Sequence, residues 1–212
     1  VVAVAEFYTS NALCRQNNCV NPIFPALDDL PRLEQIDWQC ATQSMVSSSL
    51  DFCRDVVKYD PALPSPNATS QPVESIVRQQ DDAATTMFFY HMNGLGYDAG
   101  ELRDPGRSGD QCAIETWRMV CFTYFPKVQA GCAANQSSPY QRPVRGVCEG
   151  YVAACSVECC DESVQCVFHH KASTGAGEEL VQTGYVDVEG PSTFGTGTRG
   201  AGRRSTPPLA ML

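Results

Sequence analysis

The sequence predicts an all-α, disulfide-rich bundle with short terminal β-strands and an extended C-terminal arm. Three observations carry this prediction. The 212 residues include twelve cysteines, an even number far above cytosolic usage and typical of secreted, disulfide-bonded proteins. In several segments the apolar residues recur every three or four positions, which is the period of a helix face. After about Lys171 the chain is rich in glycine, serine and threonine and holds no cysteine.

The first ten residues, VVAVAEFYTS, predict a β-strand because they are β-branched, aromatic or small and no helix cap precedes them. The chain starts at Val1 without methionine or a basic segment, so we expect a mature N-terminus left by signal removal. The longest apolar run, VVAVA, is too short to span a bilayer. We assign residues 1–20 to an N-terminal strand or arm, 21–170 to a disulfide-stapled helical domain and 171–212 to a C-terminal arm.

Four segments of the central domain predict helices. In the first, Val46, Leu50, Cys53 and Val57 follow one another in steps of four, three and four along one helix face. Pro72 suits the first turn of the second helix, and Asn93-Gly94 suits its end. The four predicted helices are Thr42–Asp60, Pro72–Gly94, Cys112–Phe125 and Val147–Cys155.

The C-terminal arm has too little apolar surface to fold alone. Residues 171–212 hold eight of the 16 glycines, and a strand pattern is confined to TGYVDVEG at residues 183–190. If the arm is ordered, the parent domain, a second copy or another chain must hold it.

The net charge and two short motifs bear on the partners of the protein and on its location. The net charge of -9 disfavours a nucleic-acid partner, which requires a basic surface. The sequons Asn67-Ala68-Thr69 and Asn135-Gln136-Ser137 predict N-linked glycans at Asn67 and Asn135, which would fit the secretory pathway and an extracellular or cell-surface location.

The segment CSVECCDESVQCVFHH, Cys155 to His170, packs four cysteines and two histidines into sixteen residues. A zinc site would need Cys155 and Cys159 to converge with Cys166 and His169 in a tetrahedron. The even cysteine count and the sequons favour disulfides instead, and we predict no metal and no cofactor. The cysteines predicted to form disulfides are Cys14, Cys19, Cys40, Cys53, Cys112, Cys121, Cys132, Cys148, Cys155, Cys159, Cys160 and Cys166.

Catalysis has little support in the sequence. The chain holds three histidines, His91, His169 and His170, and no G-x-S-x-G nucleophile elbow. Each cysteine is expected to have a disulfide partner, which leaves no thiolate nucleophile. His91 follows MFFY on a predicted helix, where a packed core histidine is more common than a base. We therefore predict that the protein is not an enzyme.

The spacing C-x8-C, then "YFP", "RP" and C-x6-C, resembles the Frizzled-type cysteine-rich domain over about residues 53–160. Val128 and Val144 occupy two positions that hold cysteine in that family. Cys53 with Tyr59 is similar to the family's opening motif. The resemblance implies a compact helical bundle. It also implies the pairs Cys53–Cys121 and Cys112–Cys155, with Cys148 bonded to Cys159, Cys160 or Cys166.

The resemblance further implies a hydrophobic groove for a lipid or a lipid-modified partner. Simple core packing is the alternative explanation for the same aromatic residues. The stretch ECCDESVQC is also similar to uncharacterised secreted cysteine-rich proteins of unicellular algae. The groove residues would be Met87, Phe88, Phe89, Tyr90, Phe122 and Phe125.

The leading prediction is a secreted structural glycoprotein subunit. It would assemble with copies of itself into an extracellular filament or surface coat through its terminal arms. The apolar strand VVAVAEFYTS would expose a pairing edge in isolation, and such edges accept strands from other chains. Contacts of this head-to-tail kind propagate into filaments when they do not close into a ring.

Overall fold

The structure, a computed structural model, describes residues 13–21, 24–65, 71–159, 167–174 and 177–184. Three long helices form the core, and the middle one, α4, contacts both of the others. Single turns of 3-10 helix occur at Leu27–Asp29, Ala99–Leu102 and Pro105–Arg107. The helices are α1 (Leu30–Leu33), α2 (Gln43–Val46), α3 (Val73–Gly94), α4 (Gln111–Tyr124) and α5 (Arg145–Cys155).

In the part of the chain that the structure describes, short strands border the helices and form three small sheets. Two of the sheets have three strands, in the orders β2-β1-β6 and β4-β3-β5, and the third is the hairpin β7-β8. All of the strand pairs are antiparallel. The strands are β1 (Leu13–Arg15), β2 (Asn18–Val20), β3 (Trp38–Cys40), β4 (Ala62–Pro64), β5 (Ser137–Ser138), β6 (Glu158–Cys159), β7 (Val167–Thr174) and β8 (Gly177–Gly184).

The prediction of an all-α bundle is therefore wrong in part, although the disulfide-rich helical core is confirmed. The strand β3 lies between β4 and β5 and buries Trp38 and Cys40. Each strand of this sheet has two or three residues, which is too short for the alternation of apolar and polar residues to be visible. The strand β4 lies between the first and the second predicted helices, where no strand was predicted.

Helix α3 begins after Pro72, whose extended backbone (φ -65°, ψ 147°) fits a residue that precedes a helix. Its buried face runs through Ile76, Gln80 and Phe88 to His91. The helix ends at Gly94, where a Cβ would lie 2.6 Å from the Val20 side chain. Glycine is required here because the hairpin β1–β2 approaches the helix so closely.

Helix α4 begins where the Asp110 carboxylate accepts a hydrogen bond from the Ala113 backbone N–H at 2.9 Å, an N-cap contact. Most of its residues are buried, because it has helix neighbours on two sides. Helix α5 buries Val147, Cys148 and Tyr151 and ends at Cys155, and the C-cap residue Ser156 has a left-handed backbone (φ 50°).

The predicted helix Thr42–Asp60 is wrong in length, since α2 ends after one turn at Val46. The four residues of its predicted apolar face, Val46, Leu50, Cys53 and Val57, are nevertheless all buried. The Asp81 side chain on α3 explains the turn structure that replaces the helix. Its carboxylate accepts three backbone N–H bonds, from Asp51, Phe52 and Cys53, each at 2.8 Å. These donors are therefore not available to a regular helix.

The hairpin β1–β2 is part of the folded core, although it lies in the segment predicted as an arm. Cys14 is bonded to Cys19 within it, β1 pairs with β6, and Val20 is buried against α3. The predicted strand at residues 1–10 lies outside the described residues.

The hairpin β7–β8 runs through the predicted boundary between residues 170 and 171. Its eight residue pairs extend from Val167 opposite Gly184 to Thr174 opposite Gly177. In the described part of the chain neither strand pairs with a third. Of the predicted strand at residues 183–190, the first two residues end β8 and the others lie outside the described residues.

Candidate functional site

Four disulfides fasten the described core. Cys53–Cys121 joins the turn after α2 to α4, and Cys112–Cys155 joins the start of α4 to the end of α5. These are the two pairs that the Frizzled-type resemblance implies. Cys40–Cys132 ties β3 to the loop before β5, and Cys14–Cys19 closes the first hairpin.

Cys148 is also disulfide-bonded. The other eight cysteines whose side chains are described pair among themselves, and Cys159, Cys160 and Cys166, the partners that the resemblance implies for Cys148, have no described side chains. Val128 and Val144, in the positions of the family's missing cysteines, are 6% and 1% exposed. Both side chains are packed in the hydrophobic core.

The zinc alternative loses one of its four ligands, because the Cys155 sulfur is bonded to Cys112. The side chains of Cys159, Cys166 and His169 lie outside the described residues. Within the described chain, no group of three or more histidine, cysteine or acidic residues is placed to hold a metal ion.

His91 is buried between α3 and α5. Its Nε2 lies 2.5 Å from the Tyr151 hydroxyl, and the two rings meet edge to face with centroids 5.3 Å apart. Burial lowers the pKa of His91 from its ordinary value of 6.5 to about 3, so the ring is neutral at physiological pH. At 1% exposure, His91 is placed as a core residue rather than as a base in contact with a substrate.

The six predicted groove residues differ widely in their exposure to solvent. Phe88 and Phe125 are completely buried, and a ligand could not touch them without repacking the core. Phe88 packs against Phe52 and Phe89, with ring centroids 5.3 and 5.4 Å apart. Met87 is half-buried. Tyr90 is 52% exposed, and its hydroxyl donates to the Asn21 carbonyl at 2.7 Å.

Among the predicted groove residues, Phe122 lines a cleft of about 350 Å³. The apolar part of this cleft is formed by Val56, Trp117 and Phe122, and charged side chains surround it. Gly106 lies against the Trp117 ring. A Cβ at this position would be 3.0 Å from a carbon atom of that ring, so a larger residue would press on it. The lining residues are Asp55, Val56, Asp104, Gly106, Arg107, Trp117, Arg118 and Phe122.

A hydrogen bond and two ion pairs hold the side chains that line the cleft. The Trp117 indole Nε1 donates to the Phe52 carbonyl at 3.0 Å, which sets the ring orientation. Arg118 pairs with Glu115 at 2.7 Å, and Arg107 pairs with Asp104 at 3.2 Å. The sequence predicts the helix that carries Trp117 but not the cleft, because residues far apart in sequence, in loops and in a helix, form the cleft together.

The two sequons differ in what the structure describes. Asn67 lies outside the described residues. Asn135 is exposed, on the turn between Cys132 and β5.

Comparison of the chain with protein-family models, with curated proteins and with solved structures gives no match. The Frizzled-type resemblance therefore stays a prediction. None of the described helices has both the length and the apolar character needed to cross a membrane. The disulfides are consistent with an extracellular or secreted protein.

Proposed function

We propose that this chain is a secreted structural subunit that assembles with copies of itself into an extracellular filament or surface coat. The observation that carries the proposal is the hairpin β7–β8, with eight residues in each strand and no third strand beside it in the described chain. A two-stranded hairpin alone is marginally stable in water, so a further strand would stabilise it. Strand addition at an open edge supplies main-chain hydrogen bonds.

The predicted strand at residues 1–10 is our candidate for the added strand, donated by a neighbouring copy. Donor strand and acceptor hairpin are then different surfaces of one chain. A contact between different surfaces is heterologous, and it continues from subunit to subunit until a ring closes or a filament forms. Pairing of two hairpins with each other would instead give a closed dimer.

Two truncated chains test this arrangement, and both keep all twelve cysteines. A chain of residues 11–212 lacks the donor strand, and a chain of residues 1–166 lacks the hairpin. We expect the full chain to form fibres or large particles by light scattering and negative-stain microscopy. Each truncated chain should be monomeric alone, and a mixture should form a complex of two chains and nothing larger.

Other outcomes contradict the proposal at different points. A full chain that stays monomeric over a wide concentration range would exclude self-assembly. Assembly of either truncated chain alone would exclude strand donation from residues 1–10 to the hairpin. Circular dichroism of each truncated chain should match the full chain's helical signal, which shows that the core has folded.

A second candidate function is binding of a fatty acid or an acyl-modified partner in the cleft of Val56, Trp117 and Phe122. Its volume is at the lower end for ligand pockets. The apolar part suits an acyl chain, and a ligand carboxylate would exchange with Asp104 or Glu115 as the ion-pair partner of Arg107 or Arg118.

A fluorescent fatty acid titrated into the full chain tests this candidate. We expect Arg107→Ala to weaken binding about tenfold, because one charge-assisted hydrogen bond is lost. Arg103→Ala is the matched control, since Arg103 is exposed outside the cleft lining, and it should bind like the unmodified chain. Absence of probe binding, with no lipid extracted from purified protein, would eliminate the candidate.

A further inference from the structure

The turn that carries Asn135 is held in place by its backbone. The Asn135 N–H donates to the Cys40 carbonyl at 2.8 Å, and the Cys40 N–H donates to the Gln136 carbonyl at 2.8 Å. The Gln136 side chain accepts from the Ala133 N–H at 3.0 Å. The disulfide between Cys40 and Cys132 closes the base of the turn.

The Asn135 side chain is left free by this arrangement. Its backbone has φ 67°, in the left-handed region that asparagine tolerates better than most residues. The residue is exposed, and its amide has no hydrogen bond to the described part of the chain. Ser137, two residues later, is also exposed and lies in β5, at the outer edge of the sheet β4-β3-β5. The asparagine and the hydroxyl of the sequon therefore both face solvent in the folded protein.

We infer that Asn135 carries an N-linked glycan. The Asn135 Nδ2 bonds to the anomeric carbon of an oligosaccharide donated by a lipid-linked pyrophosphate carrier of the secretory pathway. The amide loses one proton, and the lipid pyrophosphate leaves. Asparagine is both the acceptor and a residue suited to the left-handed turn, and folding does not bury the attached sugar because the position is exposed.

The experiment uses Ser137 rather than Asn135, because replacing Asn135 would also disturb a left-handed backbone position. The full chain is secreted from a eukaryotic host with Asn67→Gln, which leaves Asn135 as the one sequon asparagine. Three forms are compared, with serine, threonine or alanine at position 137. Intact mass is measured before and after digestion with a glycan-releasing amidase.

We expect the serine and threonine forms to lose glycan mass on digestion, with Asn135 converted to aspartate in the peptide map. Ser137→Ala should show no loss. Secreted, folded serine and threonine forms without a glycan on Asn135 would overturn the inference. Peptide mapping of the unmodified full chain gives the same decision if the alanine form fails to fold.

A consequence that rests on the proposed function is that the Asn135 turn faces outward in the assembly. Assembled particles should then release the Asn135 glycan to the amidase as completely as the unassembled chain. A glycan present but protected in particles would contradict the outward placement and leave the glycan itself established. Failure of self-assembly would leave the mass measurement unaffected.

Discussion

Replacing Asp81 by alanine should lower the free energy of unfolding by about 3 kcal/mol. The change removes the acceptor of three backbone N–H bonds, from Asp51, Phe52 and Cys53, which hold the turn beside the Cys53–Cys121 disulfide. Burial raises the pKa of the Asp81 carboxyl, and the three N–H groups oppose that rise. Urea unfolding with the disulfides intact measures the loss.

Two further variants give this prediction its controls. Asp81→Asn keeps one carbonyl oxygen, which could still accept the two bonds from Asp51 and Phe52, so its loss should be smaller than that of alanine. Asp82→Asn changes the exposed neighbour and should shift stability by less than about 0.5 kcal/mol. Equal losses at Asp81 and Asp82 would show that the three bonds do not hold the turn.

Acid should destabilise the protein through His91. Its folded pKa of about 3 lies below the ordinary value of 6.5, so the unfolded chain binds a proton that the folded chain refuses. The stabilisation is complete above pH 6.5 and is lost as the pH falls towards 3, at about 1.4 kcal/mol for each pH unit. By pH 4.5 the contribution of His91 should have fallen by about 3 kcal/mol.

Comparison with His91→Gln isolates the pH-dependent contribution of His91 to the free energy of unfolding. Glutamine does not titrate and can still form a hydrogen bond with the Tyr151 hydroxyl. The raised pKa of Asp81 acts in the opposite sense, since protonation of that carboxyl favours the folded state, but it is common to both proteins. We expect the stability difference between the two proteins to change with pH between 6.5 and 4.5. A constant difference across that range would mean that the His91 ring is protonated in the folded protein.

Helix faces were predictable where the helix is long. In α3, which has 22 residues, the helical spacing of Ile76, Gln80 and His91 places all three on the buried face, because about six turns repeat the same pattern. The turn at residues 47–57 was not predictable, since its apolar spacing is helical. The acceptor that replaces the helix hydrogen bonds is Asp81, about 30 residues away on another element.

The candidate sites also differ in how far the sequence predicts them. The sequon at Asn135 is readable from three adjacent residues, whereas its exposure depends on the turn built around Cys40 and Cys132. The cleft could not be predicted from the sequence, because Gly106 and Trp117 are brought into contact only by the tertiary fold. The groove prediction treated neighbouring aromatic residues as one surface, but Phe88 and Tyr90 face the core and the solvent respectively.

The order of the disulfides along the chain governs what a protease can release. The Cys40–Cys132 loop encloses the Cys53–Cys121 loop, and Cys112–Cys155 overlaps both. A single backbone cut anywhere between residues 40 and 155 therefore leaves the two pieces covalently joined. A nicked molecule would keep its mass, apart from one added water, until its disulfides were reduced. In an oxidising environment, where the disulfides persist, cleavage between Cys40 and Cys155 would therefore not by itself release a fragment.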